Sequence, residues 1–346
     1  MYEENVTTDV NRKFFFTALV GAGLSLLLLR SVLLAFFFLV PLGFLAYRHE
    51  YRIAWTAALF AALGNLVMAL WARTSRGVPL ADTLLDIVYF GLMAVIFTAI
   101  VAPPPVLSEK FKGPARFFGG SCLGALLLAY VFLQTSSSAG FLEYIRYLLN
   151  AAIQTSNPDA FQGAMLGVLS AEVVLEAIRT VMFRGGSLVS CILLFAVSRQ
   201  IGLFLARFAL RRRGVTPPVT SSVALFRVAP VVIWVFSASL LLVVLSSVTR
   251  LQLPEILLWN ILILCVILYF TQGLGVLQTF LARFAASPSS KFFLLVFFLI
   301  VLFSPFLNVL FLGGLFLLGV VENWVPLRAP KINGPPSTPG AGDSEN

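Results

Sequence analysis

The sequence predicts an all-α fold: a polytopic transmembrane helical bundle with short N- and C-terminal helical hairpins and an amphipathic helical segment outside the membrane. Three observations predict it. Of 346 residues, 59% are hydrophobic and 11% charged, with a mean hydropathy of +0.96, whereas soluble domains run near half apolar and a quarter charged. The apolar residues lie in blocks of roughly 20, about what a helix needs to cross the hydrocarbon core. The basic residues sit in short loops between those blocks, as in the run Arg211, Arg212, Arg213, the placement that orients membrane helices.

The first block follows Arg12-Lys13 and runs from 14 to 46. It has the positive flank and apolar core of a signal peptide but no small-x-small cleavage pattern before Tyr47, so it is expected to be retained. As one helix it would reach roughly 50 Å, beyond the hydrocarbon core, and would hold Arg30 mid-segment. A break at Arg30-Ser31 resolves both problems. It gives two short helices, 14–29 and 32–46, whose turn lets Arg30 reach the outer interface and whose second member Pro41 kinks.

Ordinary spans are expected at 52–72, 83–102, 117–134, 185–207, 228–248 and 256–280. Residues 292–321 are again too long for one span, and Ser304-Pro305 is the natural fold point for a second hairpin. Between the halves, Phe141, Ile145, Leu148 and Ile153 alternate with Glu143, Arg146 and Asn150 at helical spacing, which predicts an amphipathic surface helix. Asn157 and Pro158 then read as the cap and first residue of another helix carrying Glu172, Glu176 and Arg179. Those three charges would cost on the order of 2.5–3.5 kcal/mol each near the bilayer centre, which favours a surface or bundle-flanking position. The Pro/Gly/Ser-rich end is expected to be disordered. Four regions result: an N-terminal transmembrane half at 1–134, extracytoplasmic or interfacial helices at 135–184, a C-terminal transmembrane half at 185–327, and a cytoplasmic tail at 328–346.

The net charge is +9. Without aromatic interleaving, the basic loops argue for topology and against nucleic acid. With both hairpins folded, about 16 of the 24 basic residues fall on one face and about 7 on the other, which puts both termini in the cytoplasm and the chain in the plasma (inner) membrane. Cys122, Cys191 and Cys265 lie singly inside apolar blocks, and the lone histidine, His49, sits in a charged loop. A disulfide framework, a metal site and a histidine-based triad therefore have nothing to draw on. No cofactor and no catalytic residue is assigned, and the chain does not read as an enzyme.

The block from Trp259-Asn260 to Arg283, WNILILCVILYFTQGLGVLQTFLAR, followed by the Pro305 segment ending in Leu318-Gly319 and a late Arg328, resembles the YybS-like family of bacterial multi-pass membrane proteins. Phe226-Arg227 with Pro230 looks like that family's preceding element, and Pro41-Leu42-Gly43 before a charged loop looks like its N-terminal half. The last turn departs from the family pattern, with Glu322-Asn323-Trp324-Val325-Pro326 before the final basic residues. The resemblance carries no activity over. It implies an N-terminal half distantly like the small-molecule-binding S components of energy-coupling-factor transporters, which capture a ligand within the membrane.

Polar groups among lipid tails must find a partner or a cavity. Asn65, Asp86, Arg199, Asn260, Gln272 and Gln278 are the residues in question, and the first five are the candidate ligand-binding residues. Asp86 and Arg199 form the one pair of unlike charge and are expected to face the interior and compensate each other. The alternative for the amides is interhelical hydrogen bonding worth about 0.6 kcal/mol apiece, with Gly273 and Gly275 allowing close backbone approach. Three functional readings follow: a transporter-like or small-ligand-binding membrane subunit, a non-catalytic scaffold or assembly factor, and a membrane enzyme using Asp86, Glu172 and Glu176. The first is preferred. The expected partners are the lipid bilayer and other membrane or cytoplasmic subunits.

Overall fold

The computed structural model describes residues 2–31, 34–49, 51–76, 80–110, 113–155, 170–216, 223–249, 254–284, 296, 300 and 303–328. Side chains are described throughout these except at 2–11, 76, 80–86, 110, 139, 152–155, 224, 283 and 284. Twelve of the described helices are numbered here: α1 Tyr2–Arg30, α2 Val40–Arg48, α3 Tyr51–Arg76, α4 Leu80–Val101, α5 Pro105–Lys110, α6 Gly113–Ser136, α7 Ala139–Thr155, α8 Ala171–Val181, α9 Ser187–Arg212, α10 Val231–Thr249, α11 Glu255–Phe284 and α12 Pro305–Val321. No strand occurs among the described residues. Six helical stretches are long and apolar enough to cross a membrane: Arg12–Arg30, Tyr51–Ser75, Gly113–Ser136, Ala171–Arg212, Val231–Thr249 and Glu255–Ala282. The fold is all-α and polytopic, and the chain is a multi-pass integral membrane protein.

The contacts group the chain into two units, Met1–Val219 with Gln252–Asn260, and Thr220–Leu251 with Ile261–Asn346. This differs from the expected boundary at 184/185. Its cause is α9, which packs on α2 and α6 and so belongs with the N-terminal helices.

In the first unit, α1 ends at Arg30 as expected but begins at Tyr2, not 14, since no Pro or Gly interrupts its polar first turns. A 3-10 turn at Ala35–Phe37 precedes α2. Pro41 occupies the first turn of α2 and does not kink it, because a proline there loses no helical hydrogen bond. Nine residues span about 14 Å, too short to cross. Instead α2 is buried among α1, α3, α4 and α9, with Leu39 and Leu42 fully covered. Gly202 makes that possible: a Cβ there would lie 2.8 Å from the Gly43 carbonyl carbon and the Phe44 nitrogen. Below this crossing Phe97 and Phe195 pack at 5.7 Å. The Ser25 hydroxyl donates to the Phe38 carbonyl, satisfying backbone that a membrane would otherwise leave unpaired.

In the second unit, α12 begins at Pro305 after an extended Ser304, the expected break; most of its expected hairpin partner, 292–303, lies outside the described residues. α11 and α12 meet backbone to backbone. A Cβ on Gly273 would fall 1.8 Å from the Leu315 carbonyl oxygen, and one on Gly319 would fall 1.9 Å from that of Tyr269, a small-residue crossing of the kind that joins membrane helices. Beside it Phe236, Tyr269 and Phe316 form an aromatic trio with centroids 5.6–6.3 Å apart. Arg328, expected to open the tail, is instead packed: its guanidinium pairs with Glu322 and donates to the Phe226 carbonyl at 2.9 Å.

Candidate functional site

One end of the first unit gathers basic groups by helix termination. α2 stops at Arg48 because His49 is extended, which leaves Tyr47 on the last turn. α4 stops before Ala102-Pro103-Pro104. The helical partner of the Ile100 carbonyl would be the nitrogen of residue 104, a proline with no N–H to give. Arg116, on the first turn of α6, supplies the missing donor: its Nε reaches the Ile100 oxygen at 3.0 Å. Similarly, Trp55 Nε1 donates to the Ala102 oxygen at 2.8 Å.

Arg199 enters the same place from α9. Its Nε donates to the Tyr47 hydroxyl at 2.9 Å, and Arg116 lies within electrostatic range of both Tyr47 and Arg199. Both guanidiniums are half-buried. Among the described residues no carboxylate comes within 4.0 Å of either, and neither their terminal amino groups nor the Tyr47 hydroxyl proton has a protein acceptor. His49 stands at the margin. Burial first, and then the positive charges of Arg48 and Arg213, push its imidazole below the usual value, so Arg48 and Arg213 add to the same positive field.

The opposite end of the unit is polar in another way. Arg184 pairs with Glu255 at 2.7 Å, Arg146 with Glu172 at 2.6 Å and Arg179 with Glu176 at 4.0 Å. Arg179 also donates to the Ser136 carbonyl at 2.6 Å. Glu176, Arg179, Arg184 and Glu255 rim an open cleft of about 400 Å³. α8, capped by Ser170 through the Val173 amide, does not end as a separate surface helix. It runs through a wide turn, Met182–Gly186, into α9, with Gly185 at φ 127°. Ser187 there bonds back to Met182, which orphans the Phe183 carbonyl. Asn260 Nδ2 takes it up at 2.6 Å and also donates to the Ile256 oxygen at 2.8 Å. The expected cap at Asn157-Pro158 lies outside the described residues.

The remaining candidates are internal fasteners. Asn65, 1% exposed, accepts from Arg30 at 3.0 Å, so Arg30 turns to a neighbouring helix. Gln272, equally buried, accepts from the Val228 amide at 2.6 Å and donates to the Gly319 carbonyl at 3.0 Å. The side chain of Asp86 lies outside the described residues. Its backbone sits fourteen residues before Ile100 on α4, roughly 21 Å along the helix, whereas Arg199 belongs to the cluster at the Ile100 end. The expected Asp86–Arg199 pairing therefore falls on a side chain outside those described, and the partner the structure gives Arg199 is the Tyr47 hydroxyl.

Sequence reasoning missed Tyr47, Arg116 and the Glu322–Arg328 pair. The first two sit at the ends of apolar blocks and look like ordinary flanking residues; the signal for Arg116 was Pro104, which removes a donor from the end of α4. No group of three or more His, Cys, Asp or Glu suited to a metal occurs among the described residues. No family model, no curated protein and no solved structure matches the chain, so the YybS-like resemblance rests on the residues that carry it.

Proposed function

We propose that the protein is a non-catalytic membrane subunit that binds a small anionic ligand, in the manner implied by the resemblance of its N-terminal half to transporter S components. The observation that carries this reading is Arg199. It is a half-buried cation with a neutral hydroxyl for a partner, beside a second guanidinium, with no carboxylate in reach among the described residues. Charges held within a membrane protein without a counter-charge are costly and mark ligand or ion sites. The basic-residue count supports an orientation with both termini and the Arg211–Arg213 end of α9 in the cytoplasm, at the plasma (inner) membrane. In the first unit Arg116 and Arg199 lie together beside Tyr47, and Arg48 and Arg213 lie near His49.

The test is native mass spectrometry of protein extracted gently from its membrane. A bound small-molecule mass in the wild type that is lost in Arg199→Gln supports the proposal. A second reading, a scaffold or assembly factor, is favoured by Asn65, Asn260 and Gln272, which are engaged in internal bonds. A stoichiometric protein partner with no Arg199-dependent ligand mass would put it ahead.

A further inference from the structure

We infer that Tyr47, Arg116 and Arg199 form a site for a phosphate group at the headgroup level of the bilayer, a conclusion that rests on the ligand-binding reading of Arg199. The donors fit that group in kind and number. Arg199 and Arg116 each use Nε on a neutral oxygen of the protein, the Tyr47 hydroxyl and the Ile100 carbonyl. This fixes each guanidinium plane and leaves the terminal amino groups with no acceptor among the described residues, free to meet an outside one. The Tyr47 hydroxyl, which accepts from Arg199, keeps its own proton to donate. Two planar forks and one hydroxyl outnumber the acceptors of a carboxylate but suit a phosphate, whose oxygens take bidentate guanidinium bonds.

Charge points the same way. Two guanidiniums, reinforced by Arg48 and Arg213 beside His49 at the margin, leave a monocarboxylate one charge short, whereas a phosphate monoester carries about −1.5 to −2 at neutral pH.

Depth selects the headgroup level. Arg116 is the fourth residue of the span Gly113–Ser136, Tyr47 lies one residue from the end of the apolar helix Ala35–Arg48, and Ile100 lies one residue from the end of Ile87–Val101. The end of one span and the ends of two shorter apolar helices thus meet at the cluster, which Arg199 joins from the middle of α9. Basic pockets between membrane helices at this level bind phospholipid headgroups, and a soluble phosphate compound would meet the same donors.

The experiment uses the full chain, delipidated in detergent, and reads thermal unfolding and bound mass with three probes: phosphatidic acid in phosphatidylcholine nanodiscs, inorganic phosphate, and oleate. A phosphate site gives stabilisation by phosphatidic acid or by inorganic phosphate, and these two arms separate a lipid source from a soluble one. Arg199→Gln and Arg116→Gln should each weaken the effective probe about tenfold or more, the scale of a lost charge-assisted hydrogen bond. Arg199→Lys, which keeps the charge but not the fork, and Tyr47→Phe should give smaller losses and guard against a variant that fails to fold. Arg146→Gln, which removes an exposed ion pair elsewhere, should leave binding unchanged. Stabilisation by oleate alone, lost in Arg199→Gln, would overturn the phosphate assignment and keep the ligand-binding reading. Binding of phosphate probes undiminished by both glutamine variants would overturn the site. No Arg199-dependent effect with any probe, together with natively extracted protein free of small molecules, would overturn both.

Discussion

Arg328 and Glu322 show how a single pair can hold a chain segment that composition assigns to a tail. Their side chains are 6% and 3% exposed, and Arg328 also holds the Phe226 carbonyl. Removing one partner of a buried pair strands the other, at a cost of about 3–5 kcal/mol, whereas replacing both with apolar residues costs far less. Thermal melting in detergent should therefore show Arg328→Met and Glu322→Gln each strongly destabilised, and Arg328→Met with Glu322→Leu closer to wild type. Gln272→Leu should cost about 1–3 kcal/mol by the same assay, because it leaves the Val228 amide buried without an acceptor. His49 makes a pH prediction. Its folded-state pKa lies below the unfolded value of 6.5, so its neutral form contributes stability above that value, and the contribution is lost as pH falls below it. The melting temperature should fall between about pH 7 and about pH 5 in the wild type, and less steeply in His49→Asn. At this scale the sequence was half legible. Arg199 stood out as a charge inside an apolar block, but its partners did not, because Tyr47 is more than 150 residues away and only the α2–α9 crossing brings them together.

Among the elements, the apolar blocks marked where helices lie, and the Arg30-Ser31 and Ser304-Pro305 breaks were readable from charge and proline chemistry. Helix starts were less so. Nothing in Tyr2 to Arg12 forbids a helix, so α1 extends past its apolar part. The joining of α8 to α9 was hidden because it depends on one glycine at φ 127°, a conformation other residues adopt only with strain. Gly185→Ala should cost about 1–3 kcal/mol. Gly319→Val should be more disruptive, since the Tyr269 carbonyl occupies the space its Cβ needs and backbone cannot move aside as a side chain can. Loss of the cooperative melting transition in Gly319→Val, with Gly313→Val tolerated because nothing lies within 4 Å of a Cβ there, is the expected contrast.

For the whole molecule, composition alone established a polytopic helical protein, and what it could not give was the grouping of helices. That grouping depends on α9, whose sequence neighbours lie on both sides of the boundary it ignores. Orientation is open to direct measurement. A cysteine at Gly214, in a variant with Cys122, Cys191 and Cys265 replaced, should resist an impermeant thiol reagent in intact cells and react once the cells are opened. Tyr47, Arg116 and Arg199 keep donors with no acceptor among the described residues, whereas Asn65, Asn260 and Gln272 are engaged within the protein. Replacing Tyr47 with a photoreactive phenylalanine analogue and irradiating native membranes asks whether a ligand occupies that place. An adduct of small-molecule mass at position 47, absent when the analogue stands at Phe236 instead and diminished by Arg199→Gln, is the predicted result. Crosslinks from position 47 to protein alone would contradict the assignment of a ligand site to this cluster.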